Sequence, residues 1–291
     1  MKKVLIIGAS GLLGRHLLAH WPEDLELHVA GRSMSKLPEG TYLYKLDFGS
    51  DSHLGDLPDR IDAIIYLAQS DRYREFPEGA ADMFAVNIAA PMRLLEYARR
   101  AGASQFIFAS SGGVYGGSPA PVDEGMAISA RGDLGFYLTT KLVTEMLAHN
   151  YAQLLDIVLL RLFFVYGEGQ KRQMLVPRLI DNIRAGNPVL LQGDNGIRIN
   201  PVNANDAARA VRAALGIEGS HTINVAGPEA LSIREMCDAI GKEVSREPRY
   251  SVAEPASGDL IGDIERMRSL LVAPSLRFAQ CLPMLVREGA R

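Results

Sequence analysis

Cysteine is scarce in this chain of 291 residues: only Cys237 and Cys281 occur, and not in C-x-x-C spacing. That excludes a disulfide scaffold and leaves two free, buried thiols, as expected in a reducing compartment. Long apolar runs are also missing. The opening MKKVLIIGASGLLGRHLL begins like a secretion signal, but Gly8, Ser10, Gly14, Arg15 and His16 interrupt it. No stretch approaches the roughly 18 consecutive apolar residues that a bilayer span needs. Neither sign of charge dominates, since 31 basic and 34 acidic residues leave a net charge of −3. A nucleic-acid partner or an anionic membrane surface is therefore not expected. Internal repeats, low-complexity tracts and a metal-ligating cluster are absent as well. What is present is 47% hydrophobic and 22% charged residues, the composition of a cytoplasmic globular protein with a sizeable core.

The first half alternates short apolar runs with amphipathic stretches. KVLIIG (2–8), LELHVAG (25–31), DAIIYLA (62–68), SQFIFASS (104–111) and DIVLLRLFF (156–164) read as strands. Residues 11–21, about 81–100 and 135–153 read as helices between them. Strands alternating with helices of this length predict βαβ units and a doubly wound parallel sheet. After Tyr166 the rhythm changes. A polar loop (167–173) precedes a helix, strands flank QGDNGIR (192–198), and helices are expected at 203–215, at 232–244 and from near Asp263. The layout predicts a dinucleotide-binding domain of residues 1–165 and 201–228. A smaller α+β substrate domain takes 166–200 and 229–291.

Gly8-Ala9-Ser10-Gly11-Leu12-Leu13-Gly14 falls between the first strand and the first helix. In that position glycine permits a tight turn, backbone approach to a pyrophosphate and close packing of helix on sheet. The helix N-terminus offers unpaired N–H groups to phosphate. The second strand, however, ends in AGRSMSK, with Arg32, Ser33 and Lys36 and no carboxylate for the ribose hydroxyls of NAD. A cation and a hydroxyl suit a 2′-phosphate, which favours NADP over NAD; the other reading makes Arg32 a solvated loop residue.

Tyr137 and Lys141 in FYLTTK share one helix face if 135–153 is helical. A phenol of pKa about 10 becomes a useful base only when a neighbouring cation favours the phenolate. Ser111 ends a strand, at the sheet edge where ligands bind in such folds. The spacing alone is common by chance, but after the glycine turn the three residues predict proton transfer to or from an alcohol as hydride moves.

In this order the motifs resemble the extended short-chain dehydrogenase/reductases of the NAD-dependent epimerase/dehydratase family, over nearly the whole chain. The resemblance implies a Rossmann domain and gives the catalytic roles to Ser111, Tyr137 and Lys141. It places Asp47 and Phe48 of YKLDF at adenine, Leu67 and Ala68 of IIYLAQ along the cofactor, and Asn87 on the cofactor side. Tyr66 and Gln69 depart from the family's segment. On the substrate side it implies Arg198 at a nucleotide diphosphate, Met174 and Leu175 around the nucleotide and Asp259 near its ribose. Phe164 stands where many members have a substrate-binding Asn, and Lys171 and Arg172 are open between phosphate contact and solvated loop. Gly112 and Gly113 replace the Asp-Glu of the 4,6-dehydratases, which disfavours elimination and leaves room beside the nicotinamide. Asp133 is a further candidate acid or a solvated carboxylate. A nucleotide-linked sugar substrate, a homodimer and an epimerase acting through a keto-sugar are the expectations that follow. A keto-sugar or other carbonyl reductase and a non-catalytic dinucleotide sensor remain the alternatives.

Overall fold

The apolar runs become strands of one parallel sheet in the computed structural model, which describes residues 1–32, 37–49, 54–128, 134–254 and 258–288. The first half runs β1 (Lys2–Ile7), α1 (Leu12–Leu18), β2 (Leu25–Gly31), β3 (Tyr42–Lys45) and β4 (Ala63–Tyr66). Next come α2 (Ala80–Phe84) and α3 (Ala90–Arg100), joined through a π-helical turn at Ala85–Ala89, then β5 (Gln105–Ser111), α4 (Gly135–His149) and β6 (Asp156–Leu162). The second half adds α5 (Leu175–Ala185), β7 (Val189–Gln192), β8 (Arg198–Ile199), α6 (Ala204–Ala214), β9 (His221–Val225) and β10 (Leu231–Ser232). It closes with α7 (Ile233–Glu243), β11 (Tyr250–Ala253), α8 (Glu265–Leu270) and α9 (Phe278–Glu288).

The large sheet has the order β3-β2-β1-β4-β5-β6-β9, and every pairing in it is parallel. The chain moves outward from β1 to β3 and then crosses to β4 on β1's other side. That reversal opens a crevice at the carboxyl ends of β1 and β4, where such sheets take their ligands. Alternate side chains of β1 feed two cores. Val4 and Ile6 join Leu13 and Leu17 of α1 and Ala207 and Val211 of α6 on one face. Leu5 and Ile7 join Leu94, Leu95 and Ala98 of α3 on the other. Burial on both faces explains why these strands read as continuous apolar runs, each large side chain contributing about 1.5–3 kcal/mol.

A third core is built from Val176, Leu179 and Ile183 of α5, Met236 and Ile240 of α7, and Phe278 and Leu282 of α9. Two strand pairs, β8 with β10 and β7 with β11, border it. α7 starts with a reciprocal cap, Ser232 accepting from Glu235 N while the Glu235 carboxylate accepts from Ser232 N. Cys237 and Cys281 are free and buried, as expected. Among the described residues no helix is long and apolar enough to cross a membrane.

Candidate active site

The glycine turn is held by contacts that only glycine permits. Gly8 has φ 88°, and a Cβ there would lie 2.5 Å from the Ala68 amide nitrogen. One on Gly14 would lie 2.5 Å from Ala9 Cα. The turn can therefore pass directly beneath Leu67 and Ala68 while α1 sits tight on the sheet. Leu13 points into the core, whereas Ser10 and Gly11 are exposed. Among the described residues no side chain caps α1, which leaves the N–H groups of its first turn available to a ligand. A narrow backbone cradle with uncapped donors fits the pyrophosphate of a dinucleotide.

The β2 side differs from expectation in two ways. Phe48 is buried with its ring edge-on to Tyr66, 6.4 Å between centroids, so it is a core residue and Asp47 is the exposed member of the pair. Arg32 is an exposed loop residue but not an unpaired one, because its Nη2 donates to Asp71 Oδ2 at 3.1 Å. Ser33 and Lys36 lie outside the described residues, as does Asp133. Asn87 is fully buried in the π-helical turn. Its Oδ1 accepts from Ser70 N (3.1 Å) and its Nδ2 donates to Thr140 Oγ1 (2.9 Å). It ties the segment after β4 to the helix that carries Tyr137.

The residues expected to carry the chemistry lie on α4 and at the end of β5. The Tyr137 hydroxyl donates to Gln69 Oε1 at 3.0 Å, and its ring lies 5.3 Å from that of Tyr73. Burial, with Tyr73 adding to it, holds the phenol well above its ordinary pKa. Lys141 is buried, donates to the Ala109 carbonyl at 2.9 Å and sits 4.9 Å from the centre of the Phe108 ring. Ser111 Oγ accepts from Gly113 N at 3.2 Å, which fixes the turn that follows β5. Gly112 and Gly113 do not leave open room. A Cβ at 112 would meet the Phe163 ring at 2.5 Å, and one at 113 would meet Leu138 Cδ2 at 2.8 Å.

Behind this edge lies a charged network with no counterpart in the sequence reading. Glu145, one turn beyond Lys141, takes Arg161 in a forked pair, with Nη2 to Oε2 at 2.6 Å, and also accepts from Ser110 Oγ. Arg161 continues to the Tyr115 hydroxyl (2.7 Å), which donates to Asn224 Oδ1 (2.8 Å). The network joins α4, β5, β6 and β9. A Glu four residues after the lysine, on the same helix face, was the available signal.

Burial pushes Lys141 from its ordinary 10.5 down to about 7, against the pull of Glu145. The unfolded chain thus binds more protons than the folded one between those values. Its contribution to stability rises with pH across that window, by at most about 1.4 kcal/mol per pH unit. Between about pH 6 and about pH 9, wild type should gain roughly 1–3 kcal/mol relative to Lys141→Met in urea unfolding. A difference independent of pH would mean that Lys141 keeps its proton in the folded chain.

The substrate-side residues are distributed around the third core. Phe164 takes a left-handed backbone (φ 43°) and packs against that core. Met174 Sδ accepts from the Tyr73 hydroxyl at 3.3 Å, and Leu175 begins α5. The Arg198 side chain is exposed, while its backbone N–H is held by Asp259 Oδ1 at 2.8 Å, so Asp259 serves to fix β8. Lys171 donates to Asp71 Oδ1 at 2.6 Å, and Arg172 pairs with Asp181. Gln69, Asp71 and Tyr73, all just after β4, are the neighbours that sequence reasoning did not assign.

A doubly wound sheet, a glycine turn at its switch point and a tyrosine–lysine helix beside it define a nicotinamide-dinucleotide enzyme of the extended short-chain dehydrogenase/reductase type. More narrowly, the chain belongs to the NAD dependent epimerase/dehydratase family, whose model matches residues 4–226. It is 28% identical over 292 aligned residues to the uncharacterized UDP-glucose epimerase YtcB of Bacillus subtilis (strain 168), covering 92% of each chain. It is 30% identical over 194 residues to the UDP-glucuronate 4-epimerase of Thermodesulfobacterium geofontis, covering 64% of this chain and 59% of that one. Its fold matches the UDP-glucuronic acid 4-epimerase of Bacillus cereus, solved with UDP-glucuronic acid and NAD, with a TM-score of 0.86 at 23% identity over 99% of both chains.

Proposed function

We propose that this chain is an NAD-dependent sugar-nucleotide epimerase that works by hydride removal and return through a keto-sugar. The observation that carries this reading is the composition of the reacting edge. Ser111 and Tyr137 supply hydroxyls, while Phe163 and Leu138 occupy the space that side chains at 112 and 113 would need. Elimination calls for a further acid or base there; returning a hydride to the opposite face of the sugar does not.

A bound nicotinamide dinucleotide would supply the hydride acceptor and donor. Ser111 Oγ holds the reacting oxygen, and Tyr137 exchanges Gln69 for the sugar hydroxyl, taking its proton and later giving it back. The protonated form of Lys141 favours the phenolate. Arg198, exposed and forked, suits a diphosphate, and Met174, Leu175 and Phe164 border the nucleotide. The relatives' names point to a UDP-linked hexose altered at C4. NAD is the dinucleotide named for the matched complex, and Arg32 is already engaged by Asp71, so the 2′-phosphate preference expected from Arg32 loses its main support. The third core supports a substrate domain of residues 166–200 and 229–291. Exposed Phe84, Met146 and Leu147 on α2 and α4 suit a two-fold pairing of chains.

Incubating the purified chain with UDP-glucose and with UDP-glucuronate, followed by separation of the sugars, tests the reading. The expected product is the C4 epimer with no net change in reduced cofactor. Stoichiometric oxidation of added NADH or NADPH without epimer would make the chain a reductase instead.

A further inference from the structure

The acid that β2 lacks is provided by a different part of the sheet. Arg32 follows β2, where dinucleotide folds place either a carboxylate for the ribose or an arginine for the 2′-phosphate. Here the arginine is present, but its guanidinium is occupied by Asp71, which comes from the segment after β4. The other oxygen of the same carboxylate is held by Lys171, from the loop between β6 and α5. Lys171 foremost, and Arg32 after it, keep Asp71 below the usual carboxylate range despite partial burial.

Asp71 is also fixed by its surroundings. Two residues before it, Gln69 receives the Tyr137 hydroxyl. Two and three residues after it, Tyr73 donates to Met174 Sδ (3.3 Å) and Arg74 to the Gln173 carbonyl (3.3 Å). The loop it meets is anchored at its other end to the glycine turn. Arg15 donates to both the Ser10 and Gly169 carbonyls, at 2.8 and 2.7 Å, and His16 contacts the Glu168 carbonyl at 3.0 Å. The carboxylate thus stands in a braced span that runs from the glycine turn to the end of β2.

We propose that Asp71 is the residue that sets the dinucleotide preference, by neutralising Arg32 and placing a negative charge where a 2′-phosphate would have to bind. NAD leaves the Arg32–Asp71–Lys171 chain intact. A 2′-phosphate must either displace Asp71 from two cations or share Arg32 with it, and like charges brought together reject the wrong ligand. The pairs are exposed, with side-chain accessibilities of 58–69%, so the effect is one of discrimination and adds little to stability.

This inference rests on reading the crevice as a dinucleotide site, and the experiment separates the two. NADH and NADPH are titrated by nicotinamide fluorescence into the purified full chain and its variants. Wild type is expected to prefer NADH. Asp71→Asn frees Arg32 and Lys171 and should shift the NADPH-to-NADH affinity ratio toward NADPH by about tenfold. Adding Arg32→Ala to that variant should cancel most of the gain, whereas Lys171→Met alone, which keeps Asp71 on Arg32, should retain the NADH preference. A ratio that stays within about twofold in Asp71→Asn, or equal weakening of both ligands, overturns the role of Asp71. Failure of wild type to bind either dinucleotide overturns the underlying reading.

Discussion

Tyr137→Phe should lower turnover by about 100- to 10,000-fold, the usual range for removing a positioned acid–base group, while NADH binding changes little. The substitution removes one oxygen and keeps the ring, so the contact with Tyr73 and the packing of α4 are preserved. Among the described residues that oxygen hydrogen-bonds to Gln69 alone, which is exposed and can turn to water, so the structural cost is small. Tyr137 is held above its ordinary pKa and donates to a neutral acceptor. In this arrangement it is a proton donor, which suits the reduction half of the cycle; abstraction needs a nearby cation to lower it. Turnover is checked with UDP-sugar substrates and binding by nicotinamide fluorescence. Activity surviving within about tenfold would remove Tyr137 from the chemistry.

Glu145→Ala should cost about 3–5 kcal/mol of folding stability, because it leaves the Arg161 charge uncompensated in the interior. The pair is almost inaccessible, at 4% and 9% for the two side chains, and among the described residues Arg161 retains only its bond to the Tyr115 hydroxyl when the carboxylate is removed. A loss of that size is a large share of a typical domain's stability. Urea denaturation measures it. Replacing Glu145 and Arg161 together by leucines should recover most of the loss, since an apolar pair removes both desolvation penalties. If Glu145→Ala cost less than about 1 kcal/mol, the network would be a surface-like pair of no structural weight.

Much of the fold was legible because its signals are local. Glycines with a required turn, apolar runs of strand length and a tyrosine four residues before a lysine all sit within short windows. The alternation predicted the sheet, and β2 begins and ends where its pattern does. Other features depend on partners far away in sequence. Arg32 reads as a phosphate ligand until Asp71, 39 residues later, is found on its guanidinium. Phe48 reads as an adenine neighbour until Tyr66 covers it. Gly112 reads as vacant space until Phe163 fills it. The π-helical turn that buries Asn87 inserts one more residue than the helical period allows, and no residue type announces it. The strands β8 and β10 have two residues each, too few to carry a period.

The sheet is completed late. β9 pairs with β6, yet residues 163–220 separate them in the chain, and α6 in that interval supplies much of the cover for β1. During synthesis, a nascent chain that has passed Leu162 already carries the glycine turn, Ser111, Tyr137 and Lys141. Its outer edge on β6 is still unpaired and its Tyr115 hydroxyl still lacks Asn224. Such an edge is an open template for another chain. The order of elements therefore commits this protein to an interval during synthesis in which the proposed catalytic residues exist without a closed sheet, and it ends only once β9 has emerged and paired with β6.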